Sequence, residues 1–126
     1  MIKKAFLLAL LLSSFSVAQA QGLQRVDDNS FDELVGNPGV SVVLVTGHQT
    51  GPYRQMQSEV AAMASRYRGS VRFFSLDADS SPSTASRLGV RSLPVVLFFS
   101  NGGLIIQQLG EVPMDVIEGQ LQALLP

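Results

Sequence analysis

A three-layer α/β domain built on a mixed central sheet is the fold class this sequence predicts, and three observations carry it. Residues 40–45 and 95–99 are apolar, β-branched-rich runs. They lack the in–out alternation of a half-exposed strand, which is the pattern of strands covered on both faces. Between them the apolar period changes to a helical one, with Met56, Val60, Met63, Ala64 and Tyr67 forming one stripe. Asn101-Gly102 then follows the second run directly. That pair is the favoured two-residue turn of a β-hairpin, so the last two strands should be antiparallel.

Each element can be justified in chain order. A short strand is expected around residues 23–26. Ser30 and Glu33 are spaced as a capping box, which predicts a short helix that stops at Gly36-Asn37-Pro38-Gly39. The first buried strand covers 40–45. A long helix runs from Pro52, well placed in a first turn where its missing N–H costs nothing, to Arg66. Residues 71–76 form the next strand, joined to the previous one by a right-handed parallel crossover. Asp77-Ala78-Asp79-Ser80-Ser81 is a turn into a short helix from Pro82 or Ser83 to Leu88, closed by Gly89. The hairpin occupies 95–99 and 103–109. An amphipathic helix over 113–125 ends the chain, with Val116, Leu121, Leu124 and Leu125 available for burial.

Residues 1–20 stand apart from this pattern. Lys3 and Lys4 precede a short apolar run over 5–12, and Ala18-Gln19-Ala20 is a small-x-small cleavage site. This is the signature of a secretory signal peptide, so residues 21–126 are expected to form one domain in the periplasm or outside the cell. The apolar run breaks at Ser13-Ser14, short of the roughly 20 residues a membrane span needs, so no stable membrane insertion is expected after cleavage. Both lysines lie in this leader. The remainder has seven arginines against ten acidic residues, a net charge of −3. The arginines are scattered, which argues against a nucleic-acid partner.

The order β-α-β-α-β-α-β-β-α, with its motifs, resembles the thioredoxin family over about residues 23–125. In that family a strand leads to a Cys-Gly-Pro-Cys turn and a long helix. Here Val42-Val43-Leu44-Val45 leads to Thr50-Gly51-Pro52-Tyr53. Leu76-Asp77-Ala78-Asp79, Leu88-Gly89-Val90-Arg91, Ser92-Leu93-Pro94-Val95 and Phe99-Ser100-Asn101-Gly102 are similar to the segments that follow. Gly110 resembles the glycine ahead of the last helix. The resemblance implies a thioredoxin-like three-layer sandwich, with a C-terminal β-hairpin and helix and with Pro94 cis. The departures concentrate on the chemistry. Thr50 and Tyr53 replace the cysteines, Gln49 the preceding tryptophan, Leu44 the buried aspartate, and Val95 the threonine after the cis-proline. The chain contains no cysteine. Thiol–disulfide exchange requires a thiolate, so that activity is excluded. A buried carboxylate with no proton to move is only a desolvation cost, and Leu44 is the expected replacement.

The resemblance therefore implies a non-catalytic binding module that docks a protein or extended polypeptide at the former active-site edge. Gln49, Thr50, Tyr53, Leu93, Pro94 and Gly110 form that edge, with Leu93, Pro94 and Val95 making it apolar. Plainer readings stand beside this one. Pro94 could serve only to start a strand, Tyr53 to fill space, and Thr50 to cap the long helix. A structural subunit that makes contact through its helices is one alternative. An enzyme using His48 as base and Thr50 as nucleophile is another, weakened because no orienting acid is evident in the sequence. A single histidine without cysteine makes no ordinary zinc site, and no cofactor is expected. Asp77 to Ser81 resembles a calcium loop only faintly, with Pro82 where glycine is required, and reads better as strand-end and capping acids. Arg66, Arg68, Arg72, Arg87 and Arg91 read as solvated side chains.

Overall fold

The computed structural model describes residues 23–48 and 51–126. Nine elements follow in the expected order: β1 (Gln24–Val26), α1 (Phe31–Val35), β2 (Val40–Thr46), α2 (Gly51–Arg66), β3 (Val71–Asp77), α3 (Pro82–Arg87), β4 (Val95–Ser100), β5 (Gly103–Leu109) and α4 (Met114–Leu124). The strands make one sheet in the order β1-β3-β2-β4-β5. β1, β3 and β2 are parallel, while β4 is antiparallel to both β2 and β5.

Every residue of β2 is buried, Ser41 and Thr46 included, which explains why its sequence is mostly apolar with no polar alternation: the central strand is covered on both faces. Val42 and Leu44 face Val60, Met63, Ile117 and Leu121 of α2 and α4, together with Phe98. Val43 and Val45 face the other way, into a core with Phe31, Val35, Phe74, Leu97 and Phe99. Edge strand β5 alternates only weakly and is exposed along most of its length.

Two local devices set the ends of these elements. The hairpin turn has positive φ at both Asn101 (51°) and Gly102 (82°), the conformation its sequence predicted. The Asn101 Oδ1 accepts the Gly39 N–H at 2.8 Å, and the Asn101 N–H donates to the Gly39 carbonyl at 2.9 Å. The tip is thereby fastened to the α1–β2 loop. A Cβ on Gly102 would lie 3.3 Å from the Gly36 Cα and carbonyl oxygen. Gly102→Ala combines that crowding with a left-handed backbone, so it should destabilise the domain by about 1–2 kcal/mol in chemical denaturation.

The other device departs from expectation. Ser30 makes no side-chain cap for α1. Asp27 does the work: its Oδ1 accepts the N–H groups of Asn29 (2.9 Å) and Ser30 (3.0 Å), and its carbonyl accepts that of Phe31. The Ser30 hydroxyl turns back to Asp27, accepting its N–H and donating to its carboxylate. That hydroxyl is thereby committed to Asp27 and does not reach forward to the N–H groups of α1 that a capping box would satisfy. The Asn29 N–H, then the Ser30 hydroxyl and N–H, hold the Asp27 carboxyl below the usual range.

Asp28 anchors the start of α3, its Oδ1 accepting both the N–H and the hydroxyl of buried Thr84 at 2.7 Å. These bonds, the hydroxyl first, lower the Asp28 pKa. Glu118 of α4 accepts from the Tyr67 hydroxyl and from Arg66, both at 2.6 Å, which lowers its pKa in turn and raises that of Tyr67. A carboxyl whose folded pKa is depressed contributes stability that is complete above its unfolded pKa and lost as pH falls through the folded one. Thermal scans across the acid range should therefore show the melting temperature falling as pH drops below about 4. Asp28→Asn should be less stable than wild type at neutral pH and converge on it in acid. The raised Tyr67 pKa works in the opposite sense, and its contribution fades in alkali above about pH 10.

Candidate functional site

The carboxyl ends of β2 and β3 lie side by side because Thr46 pairs in register with Asp77. The Thr46 carbonyl accepts the Ala78 N–H at 2.8 Å and continues the pairing beyond the strands. Gly47 comes next and sits at the centre of the site. A Cβ there would lie 3.0 Å from the Asp79 Oδ2, 3.3 Å from the Leu93 Cδ1 and 3.8 Å from the Tyr53 Cε2. Three chain segments thus meet around one glycine: the turn after β3, the loop before β4 and the first turn of α2.

The Leu93–Pro94 peptide is cis, as the resemblance implied. The Pro94 carbonyl accepts the Gly110 N–H at 2.9 Å, and Gly110, with φ of 80°, turns the chain away from β5. Tyr53, Leu93, Pro94 and Gly110 are therefore assembled at one end of the sheet. Gln49 and Thr50 lie outside the described residues, as does the capping role read for Thr50.

The expected apolar edge is narrower than the sequence suggested. Pro94 and Val95 are buried and Leu93 is half-buried. Val95 starts a central strand and turns into the core beside Val45 and Phe99, so it has nothing to offer outward. The exposed large apolar side chains are instead Leu104, Ile105 and Leu109 on β5 and Val116 on α4. Val116, expected to be available for burial, points away while Ile117 takes the core position. A shallow depression of about 100 Å³ borders the edge, lined by Pro52, Met56, Val112 and Met114 and by the acids Glu59 and Glu111.

An acid does stand beside His48, contrary to expectation. The Asp79 Oδ2 accepts the His48 N–H at 2.8 Å and lies 3.8 Å from the His48 Nε2. Nothing local in the sequence signals this contact, because 31 residues separate the partners; it depends on the parallel register of β2 and β3. The imidazole is 89% exposed, and a general base needs a hydrogen bond of about 2.6–3.2 Å. Asp79 is better placed to hold the backbone at His48 than to orient the ring. The Asp77 Oδ1 accepts the Asp79 N–H at 2.8 Å, so both acids of this turn are engaged with backbone groups. Among the described residues no group of three or more His, Asp or Glu side chains could hold a metal ion.

Several arginines read as solvated prove to have partners. Arg66 pairs with Glu118. Arg72 donates to the carbonyls of Asn37 and Pro38. Arg87 pairs with Asp32 at 2.8 Å and lies over the Phe31 ring. Such pairings join positions 34–55 residues apart, and periodicity carries no trace of them.

Leu44 is fully buried, and its register partners are Ser75 and Val96. The place of the family's buried carboxylate is thus occupied by hydrocarbon. Comparison with known proteins agrees with the fold. A model of the Thioredoxin family matches residues 22–123. The chain is similar to chloroplastic thioredoxin M-type of Pisum sativum, at 35% identity over 79% of this chain and 59% of the relative. It is similar to thioredoxin of Synechocystis sp., at 30% identity over 80% of this chain and 95% of the relative. It spans less than two thirds of the chloroplastic proteins among these relatives. The mixed five-stranded sheet, the cis-proline loop and the family match together place this cysteine-free chain in the thioredoxin family.

Proposed function

We propose that this chain is an exported, non-catalytic thioredoxin-family module that holds an extended polypeptide at the edge formed by Tyr53, Leu93 and Gly110. It does not act as a thiol–disulfide oxidoreductase, because it has no cysteine to form the mixed disulfide such an enzyme requires. The observation that carries the reading is the state of the loop before Pro94. Among the described residues the backbone of Leu93 enters no hydrogen bond, and its side chain is only half-buried. An unpaired backbone just ahead of a strand and beside an aromatic side chain suits recognition by strand addition, in which main-chain bonds supply affinity. The depression beside Gly110 adds apolar walls and two acids, which favours a partner segment carrying apolar and basic side chains. The leader over residues 1–20 supports delivery to the periplasm or the exterior.

The test uses a photoreactive group at position 93, with a control at exposed position 123 on α4, presented to a purified unfolded polypeptide. Adducts should form at 93 and not at 123, and Tyr53→Ala should reduce them. Adducts confined to 123 would move the interface to the helices and favour the structural-subunit reading. Mass measurement of the secreted chain should find its N-terminus at Gln21.

A further inference from the structure

A second cleft, apart from the cis-proline edge, lies on the α2 side of the sheet. It has a volume of about 300 Å³ and is lined by Arg25, Thr46, Arg54, Gln57, Ser75, Leu76 and Asp77. The register explains its composition. Arg25 of β1 is paired with Ser75 of β3, and Thr46 of β2 with Asp77. Alternate residues of a strand share a face, so Arg25, Ser75, Asp77 and Thr46 continue the face that carries Val42, Leu44 and Phe73. Toward the carboxyl ends of β1, β3 and β2 this face changes from apolar to polar. The first turns of α2 supply Arg54 and Gln57 as the opposite wall. Clefts beyond the carboxyl ends of parallel strands are the usual ligand positions of α/β sheets.

The geometry points to this cleft as a binding site for a small molecule bearing a carboxylate or phosphate. Two guanidinium-bearing side chains line one small space with hydroxyl and amide groups, and the single carboxylate among them is partly engaged: the Asp77 Oδ1 accepts the Asp79 N–H. Arg25 differs from Arg66, Arg72 and Arg87, each of which has a partner. Among the described residues it enters no ion pair. Guanidinium groups match oxyanions through paired N–H donors. The volume stands at the lower end of ligand pockets, which limits the ligand to a small one.

The experiment is an NMR titration of the full chain, following the arginine Nε–Hε signals and the amides of Thr46 and Ser75. Inorganic phosphate and succinate are added separately at constant ionic strength. A saturable response at Arg25, Arg54 and Ser75 is expected with at least one of them. Saturation by phosphate alone assigns a phosphate ester, by succinate alone a carboxylate, and by both the shared oxyanion. Arg25→Gln should weaken binding by about tenfold and leave the fold intact, since Arg25 makes no ion pair. Arg68→Gln should leave binding unchanged. A linear response of equal size at Arg68 and Arg91, no response to either anion, or unaltered binding by Arg25→Gln would overturn the proposal.

Discussion

Leu44→Asp should be among the most damaging single substitutions in this domain, although it reinstates the residue type the family carries at that position. Leu44 is 0% exposed and belongs to the core formed with Val42, Met56, Val60, Val96 and Phe98. Truncating a buried leucine alone costs about 2–5 kcal/mol. The introduced carboxyl adds desolvation with no charged partner, against a total domain stability of about 5–15 kcal/mol. The sign of its pH dependence is the reverse of that of Asp28. Burial raises the folded-state pKa of the new carboxyl above its unfolded value of about 3.9. The charge-related penalty is therefore absent below that value, grows as pH rises, and levels off above the folded pKa. Denaturant melts of wild type, Leu44→Ala and Leu44→Asp at several pH values check this. The gap between the two variants should be small in acid and widen toward neutrality. A gap that stays small at neutral pH would mean that water reaches position 44 from the Arg25 cleft beside Ser75.

The elements legible in the sequence are those governed by burial pattern and turn chemistry. β2 and β4 announce themselves because strands covered on both faces leave no polar alternation. The Asn101-Gly102 turn is legible because only a few residue pairs tolerate two positive φ values. Motif spacing likewise located Tyr53, Pro94 and Gly110 at one end of the sheet. What stayed hidden depends on register and on where side chains turn. The Ser30 hydroxyl turns back to Asp27 instead of forward to α1, and a spacing rule that considers only Ser30 and Glu33 cannot weigh that. Asp79 reaches His48 only because β2 and β3 are parallel neighbours in one register. Arg25 and Arg54, 29 positions apart, look scattered in the chain and line one cleft in the fold. Burial of Pro94 and Val95 was hidden for a related reason: an apolar motif reads the same whether it faces a partner or its own core.

The double substitution Thr50→Cys with Tyr53→Cys should turn a chain with no thiol chemistry into a slow thiol–disulfide oxidoreductase. The wild type should leave the reduction of a protein disulfide by dithiothreitol at its uncatalysed rate, because it has no thiolate. Position 53 is in the first turn of α2, and position 50 directly precedes that helix. A thiol at a helix N-terminus is acidified by the unsatisfied N–H groups and the positive end of the dipole, which supplies thiolate near neutral pH. Gly51 and Pro52 already stand between the two positions, and the cis-proline loop packs alongside, with Leu93 and Tyr53 both set around Gly47. Apart from position 50, which lies outside the described residues, the scaffold for the reaction is therefore present. The rate should remain low, because Leu44 leaves no buried carboxylate to assist proton transfer, and Leu44→Asp would restore that group only at the large stability cost argued above. Each single cysteine variant should be inactive, since a lone thiol cannot resolve the mixed disulfide within the chain. Thiol titration distinguishes the possible failures. A double variant that closes its disulfide yet catalyses nothing would place the lost function in the surrounding site. One that retains two free thiols under oxidising conditions would show that positions 50 and 53 do not approach each other as the family geometry requires.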